Sequence, residues 1–163
     1  MNDYIIRPYQ KGDEDKIIAL FSVVFQQTID INYWRWKFCR LETVYSLVVE
    51  SKDNKNIVGH VGAIPFSGIY HSKTIPCFQM CDVMIHPDVR GFLGSKNLFT
   101  QLFKEISEFI VNKHPDAFCY GFPGRRPFIL GQRAKTYSRV EQPVISEFPA
   151  TYHRFRWLQL RQL

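Results

Sequence analysis

Residues 81–95, Cys-Asp-Val-Met-Ile-His-Pro-Asp-Val-Arg-Gly-Phe-Leu-Gly-Ser, run from an apolar strand through a proline turn into a basic, glycine-bearing loop. A long amphipathic helix follows. That order brings backbone N–H groups, the guanidinium of Arg90 and the positive end of a helix dipole to one point, a natural seat for phosphate. Arg90, Gly91 and Gly94 are therefore the candidate anion-binding residues. The strand ahead of them carries a carboxylate, Asp82, among apolar neighbours such as Val83 and Met84. A charge in that setting must be paired or have its pKa raised. A general base for an ammonium needs this kind of tuning. The competing reading is a structural aspartate bonded to backbone or to an arginine.

Two familiar phosphate-binding patterns do not fit. Gly91-Phe-Leu-Gly94-Ser95-Lys96 has neither the four-residue gap nor the Gly-Lys-Ser/Thr order that aims a lysine at a nucleotide. A Gly-x-Gly-x-x-Gly dinucleotide fingerprint is also missing. Cys39, Cys77, Cys81 and Cys119 have no scaffold spacing, and no Cys-x-x-Cys or paired-histidine partner marks a metal site. Free thiols in a reducing cytoplasm are the expectation, with no metal.

The elements that must position these residues are read from periodicity. Residues 3–8 form a short strand, and 13–25 carry a helical stripe of Ile17, Ile18, Leu20, Phe21, Val24 and Phe25. Asp30 caps a second helix holding Tyr33, Trp34, Trp36 and Phe38, whose aromatics either pack in the core or line a pocket. Strands are expected over 45–50, 57–65, 69–75 and 78–85, the last buried on both faces. In the next helix Leu98, Phe99, Leu102, Phe103, Ile106, Phe109 and Ile110 face inward, leaving Lys104, Glu105 and Glu108 outside. Residues 117–120 give a strand and 126–134 a helix; a strand begins near Tyr137, and 143–150 could form another. Lys135 stands where a helix-ending glycine is expected, so it either turns left-handed or extends the helix. A helix between two apolar strands is a right-handed crossover, so the strands at 78–85 and 117–120 should be parallel and part at their carboxyl ends.

Composition agrees with an ordered α+β domain. The chain has 163 residues, 45% hydrophobic and 15% aromatic, enough for one well-packed core. No run of 18 apolar residues suggests a membrane span, and the first residues do not read as a signal peptide. A net charge of +6 suits an anionic ligand. No basic helix or aromatic RNA-binding motif points to nucleic acid.

Val83-Met-Ile-His-Pro-Asp-Val-Arg-Gly91 resembles the strand followed by Pro-x-x-Arg-Gly of the GNAT superfamily, the acetyl-CoA-dependent N-acyltransferases. Trp36-Lys-Phe38 with Ile57-Val-Gly-His-Val-Gly62, and Gly121-Phe-Pro-Gly124 leading to Leu130-Gly-Gln-Arg133, resemble further parts of that family. The resemblance spans residues 3–150 and implies a three-layer domain with a mixed sheet of about six to seven strands flanked by helices. It assigns 1–150 to the acyltransferase domain and 151–163 to a C-terminal segment, either a subunit contact in a homodimer or the start of a further portion. One departure stands out. The family's Arg/Gln-x-x-Gly-x-Gly/Ala pattern, read from Arg90, places Leu93 and Ser95 at its glycine positions, with Gly94 one place late.

The resemblance implies acetyl-CoA as co-substrate, with contacts from Met84, Ile85, Arg90, Gly91, Gly94, Ser95 and Lys96, and a small-molecule or peptide amine as acceptor. Acyl transfer requires a deprotonated amine, a polarised carbonyl and a proton for the leaving thiolate. Asp82 is the candidate base, because Phe78, Gln79 and Met80 occupy the region where many members carry a glutamate. Tyr137 is the candidate proton donor, with His60, His71 and His86 as alternatives. A catalytically degenerate module that binds without turnover is the second reading.

Overall fold

The computed structural model describes residues 3–91, 97–136 and 138–139. The elements run β1 (Tyr4–Pro8), α1 (Glu14–Phe25), α2 (Ile31–Phe38), β2 (Ser46–Ser51), β3 (Ile57–Tyr70) and β4 (Lys73–Ile85). A single 3-10 turn (Pro87–Val89), α3 (Leu98–Lys113), β5 (Phe118–Gly121) and α4 (Arg125–Arg133) complete the described order. The five strands form one sheet in sequence order. β1 to β4 pair antiparallel, and β4 pairs parallel with β5. The mixed α+β architecture and the parallel crossover are as the sequence predicts. The described residues hold five strands against the six to seven expected, and the two expected near 137 and over 143–150 fall on residues that are not described.

Strand alternation sorts the core into two layers. On β2, Leu47 and Val49 face α3 while Val48 faces the α1–α2 side, the period-2 pattern of a sheet covered on both sides. The α3 layer buries Leu98, Phe99, Leu102, Ile106 and Ile110 against Tyr45, Val61, Phe78, Met80 and Ile85. Each such side chain is worth about 1.5–3 kcal/mol of transfer free energy. Phe103 and Phe109 pack partly buried at its rim, and Lys104, Glu105 and Glu108 are exposed. The second layer gathers Ile17, Leu20, Trp34, Phe38, Ile57 and Met84. Trp34 belongs to this core, whereas Tyr33 and Trp36 lie on the exposed face of α2. The ring of Phe38 rests directly on Gly62, where a Cβ would overlap it. That contact fixes how closely α2 approaches the sheet.

Local signals account for the helix ends. The Asp30 carboxylate accepts the Asn32 N–H at 2.7 Å and caps α2. Asp13 precedes α1 but is turned to other work. It accepts from the two terminal Arg7 nitrogens, at 2.7 and 2.9 Å, and from the Gln10 N–H. Arg7 also binds Glu50, tying β1, β2 and the start of α1 together. Beyond α4, Lys135 adopts φ 55, and Thr136 N–H reaches Gly131 O while Lys135 N–H reaches Gln132 O. This is a left-handed helix stop with a lysine at the position glycine usually holds.

The expected strand at 69–75 does not exist as one element. A two-residue turn at His71 and Ser72, with φ 46 and 62, falls in its middle and joins two long strands into one hairpin. Pro65 and Pro76 lie inside β3 and β4. β3 has lost its β2 partner beyond Gly62, and β4 gains β5 only from Cys77. Each proline thus sits where its strand has an open edge, the one place a sheet tolerates a missing donor.

Candidate active site

β4 and β5 stay paired for four residues, from Cys77↔Phe118 to Met80↔Gly121. β5 then ends while β4 continues to Ile85. The parting strands leave the segment Cys81–Ile85 bordered by β3 on one side and by no described strand on the other. In open sheets with a parallel crossover, this divergence is where ligands bind.

A bulge reshapes the same segment. Gly62 faces Cys81 and His60 faces Met84, so Val61 opposes two residues, Asp82 and Val83. Asp82 takes φ 49, a left-handed conformation that aspartate tolerates better than most residues. The extra residue resets the alternation. Phe78 and Met80 face α3, and so do Val83 and Ile85, one step out of phase. Asp82, which strict alternation would place on the α3 face, turns instead toward α2.

There the Lys37 ammonium donates to both of its carboxylate oxygens, at 2.7 and 2.9 Å. The side chains keep 13% and 17% of their surface exposed, so the pair is shielded and yet reachable from solvent. The main chain of Asp82 is held as well. Its carbonyl oxygen lies 2.9 Å from His60 Nδ1, and His60 Nε2 lies 3.0 Å from Ser46 Oγ. Because a carbonyl only accepts, Nδ1 carries the proton and Nε2 accepts from the serine hydroxyl. His60 is fully buried, and burial pushes its pKa down to about 4, with the Asp82 carbonyl bond opposing. It is neutral at pH 7 and cannot serve as a solvent-facing acid. Burial also pushes the neighbouring Cys81 thiol up to about 12, with Lys37 opposing and the Asp82 charge adding to the rise. Cys81 is a protonated, unreactive thiol.

Met84 is buried on the α2 side and Ile85 on the α3 side. The Ile85 carbonyl accepts from Arg90 Nε at 2.8 Å, folding the arginine back onto the end of β4. The 3-10 turn makes this possible, and the Asp88 N–H donates to His86 Nδ1 at 3.3 Å within it. Arg90 and Gly91 are exposed, and Gly91 takes φ +128, a conformation that favours glycine. Asn97 caps α3, its side-chain oxygen accepting from Phe99 N–H at 3.0 Å and Thr100 N–H at 3.4 Å. Those two helix donors are occupied by the protein itself. Gly94, Ser95, Lys96 and Tyr137 lie outside the described residues.

The structure thus brings Asp82, Met84, Ile85, Arg90 and Gly91 along one edge. The sequence did not single out Lys37 or Asn97 for the parts they play, and His60, one of the alternative proton donors, is a buried core histidine with both nitrogens bonded. Lys37 was legible only as the neighbour of Phe38 on a helix whose buried stripe is Trp34 and Phe38. Asn97, directly before Leu98-Phe99, is an ordinary capping signal. A separate shallow cleft of about 490 Å³ opens under His86 and Asp88, between Lys16 and Val23 of α1 and the turn at Asn54. It shares no residue with the Asp82–Lys37 pair. Among the described residues no cluster of histidine, cysteine and carboxylate side chains forms a metal site, and no helix is long and apolar enough to cross a membrane.

Comparison with known proteins agrees with this geometry. The family model for the acetyltransferase (GNAT) domain matches residues 5–130. The chain belongs to the GNAT acetyltransferase family. No curated protein sequence matches it. Among solved structures, an acetyltransferase of Trypanosoma brucei superposes with a TM-score of 0.67 at 14% identity, covering 89% of this chain and 100% of that one. Glucosamine-6-phosphate N-acetyltransferase from Arabidopsis thaliana gives 0.66 at 11% identity, covering 89% and 97%. Saccharomyces cerevisiae N-myristoyltransferase with bound myristoyl-CoA gives 0.60 at 18% identity, over 74% of this chain and 31% of that one.

Proposed function

We propose that this protein transfers an acyl group, in the simplest case acetyl, from acyl-CoA to the nitrogen of an amine. The observation that carries the reading is the bulged end of β4, where a shielded carboxylate stands beside a strand edge that, among the described residues, β5 leaves unpaired. Acyl-CoA fits the donors present. The main chain over Met84 and Ile85 suits its amide-bearing arm, and Arg90 with the backbone at Gly91 suits its phosphates. Asn97 narrows the cradle, because Phe99 and Thr100 N–H are already spent on its side chain.

Bound acyl-CoA supplies a thioester carbonyl as the electrophile. The amine nitrogen forms the new N–C bond as the C–S bond breaks. Asp82 accepts the proton the nitrogen gives up, directly or through one water, and Lys37 fixes the orientation of that carboxylate. The leaving thiolate takes its proton from a second donor, for which Tyr137 is the proposed phenol. Calorimetric titration with acetyl-CoA tests the reading. A saturable isotherm followed by release of free CoA thiol on adding amines supports it, and absence of binding at millimolar acetyl-CoA removes it. The occupied N–H groups at α3 favour one alternative, a module that binds a partner without turnover, and that protein would show no thiol release.

A further inference from the structure

The bulge in β4 interrupts the ladder at Asp82, and the main-chain carbonyl of that residue meets a side chain, His60 Nδ1. A bulge disrupts the ladder locally, and a carbonyl left without a donor in a core costs about 1–3 kcal/mol. His60, on the neighbouring strand, supplies that donor at 2.9 Å. The imidazole has little freedom of its own. Its ring lies edge-on to both Trp34 and Phe38, with centroids 6.0 and 5.7 Å away, and Ser46 fixes its other nitrogen. Both His60 and Ser46 are fully buried. The chain Ser46–His60–Asp82 therefore runs across β2, β3 and β4 and ends on the residue whose side chain meets Lys37.

We propose that His60 is a positioning residue for the acyl-transfer site: its Nδ1–H, on a ring that Ser46 holds at the other nitrogen, pins the Asp82 carbonyl and so aims the Asp82 carboxylate at Lys37 beside the edge of β4 that β5 leaves. This rests on the acyltransferase reading above for its catalytic consequence, but not for its structural one. The register itself does not need the pin. Removing the bulge would send Val83 and Ile85 to the wrong face, and the hydrophobic pattern forbids that. What His60 decides is how the peptide unit at Asp82 is turned within the bulge. A rotated peptide would swing the carboxylate off Lys37 while leaving the two core layers intact.

Two amide substitutions separate positioning from packing. Asparagine carries an N–H at the same bond distance from the backbone as Nδ1, whereas glutamine carries one only where Nε2 stood. His60→Asn leaves the larger void and should melt at the lower temperature. It nevertheless retains the donor to Asp82, so its turnover should stay within about threefold of wild type. His60→Gln fills more of the space and should be the more stable, yet its kcat should fall roughly tenfold or more with KM for acetyl-CoA nearly unchanged. The Lys37 ammonium resonance in a ¹H–¹⁵N spectrum reads the ion pair without any reaction. It should be protected in wild type and His60→Asn and exchange-broadened in His60→Gln. Turnover that follows melting temperature, leaving His60→Asn the worse enzyme, overturns the proposal. So does an unchanged Lys37 signal in His60→Gln. If wild type transfers no acetyl group at all, the functional reading fails, and the ammonium signal alone still decides whether His60 pins the bulge.

Discussion

Lys37 on α2 and Asp82 on β4 are 45 residues apart in sequence, yet the lysine ammonium spans both oxygens of the carboxylate at 2.7 and 2.9 Å. Two separate features produce the contact. The ring of Phe38 seats on Gly62 and sets the distance of α2 from the sheet. The bulge then turns Asp82 to the α2 side. A helix position and a strand irregularity thus meet at one ion pair beside the parting of β4 and β5.

Asp82→Asn keeps the shape of the side chain and removes the proton acceptor. Turnover should fall by about 10²–10⁴-fold, the scale of general-base catalysis, with acetyl-CoA affinity nearly unchanged. Lys37→Met leaves a shielded carboxylate without its cation and should cost about 1–3 kcal/mol of stability. In the double variant that cost should shrink, because no charge is left unpaired. Thermal melts and steady-state kinetics on the three proteins check this. Full turnover in Asp82→Asn would show that the amine arrives deprotonated from solvent and that positioning alone carries the reaction.

Arg90 is exposed and bonds the Ile85 carbonyl through Nε, and the proposed function assigns its guanidinium to the cofactor phosphates. Arg90→Glu should weaken acetyl-CoA by tenfold or more, since a charge-assisted bond is worth about 1.5–3 kcal/mol. Arg90→Lys should recover part of the affinity, because it restores charge without the fork. Calorimetry checks both, with circular dichroism to show the fold intact. Equal affinity in wild type and Arg90→Glu would place the phosphates elsewhere.

Much of this arrangement was written locally. The helix stripes, the Asp30 cap and the parallel β4–α3–β5 crossover followed from spacing alone, and Pro87-Asp-Val-Arg90-Gly91 marked the loop. What was hidden depended on pairing between distant segments. The hairpin at His71-Ser72 lacks the Asn-Gly signal that usually announces two left-handed residues, so the expected strand at 69–75 ran straight across it. The bulge is invisible because nothing in Cys81-Asp-Val-Met says that Val61 will face two residues. Asp82 was legible as a carboxylate in need of a partner. That the partner is Lys37 depends on the packing of Phe38 over Gly62, a contact between elements that local spacing does not report.

Lys135 holds φ 55 at the end of α4, a conformation that costs an L-residue with a Cβ about 1–2 kcal/mol. The two backbone bonds that close the helix, Thr136 N–H to Gly131 O and Lys135 N–H to Gln132 O, do not involve its side chain. Lys135→Gly should therefore stabilise the protein by about 0.5–1 kcal/mol, after the greater entropy of glycine in the unfolded chain is subtracted. Denaturant unfolding checks the sign. A loss of stability would mean that the lysine ammonium makes a compensating interaction.

Acid should destabilise the fold in two stages. The His60 pKa falls from the ordinary 6.5 to about 4 because the ring is buried. Between those values the unfolded chain binds a proton that the folded chain refuses, so stability drops as pH falls from 6.5 toward 4, by about 3 kcal/mol in all. The charges facing the ring are Lys37, which lowers the value further, and Asp82, which raises it. The second stage begins below about pH 4.5, the ordinary value of a glutamate. Burial acts to raise the Asp13 carboxyl, but the Arg7 bond and the Gln10 N–H outweigh it and hold the group below its ordinary 3.8. Glu50 is likewise held low by Arg7. A depressed carboxyl stabilises the fold above its unfolded value and loses that contribution as pH falls through the folded one. Chemical denaturation at pH 7.5, 6.5, 5.5, 4.5 and 3.5 measures both limbs. His60→Asn should flatten the limb between pH 6.5 and 4 and leave the lower one in place. A wild-type limb as flat as that of His60→Asn would mean that the histidine takes up its proton inside the fold, and the pin on Asp82 would then be a charged one.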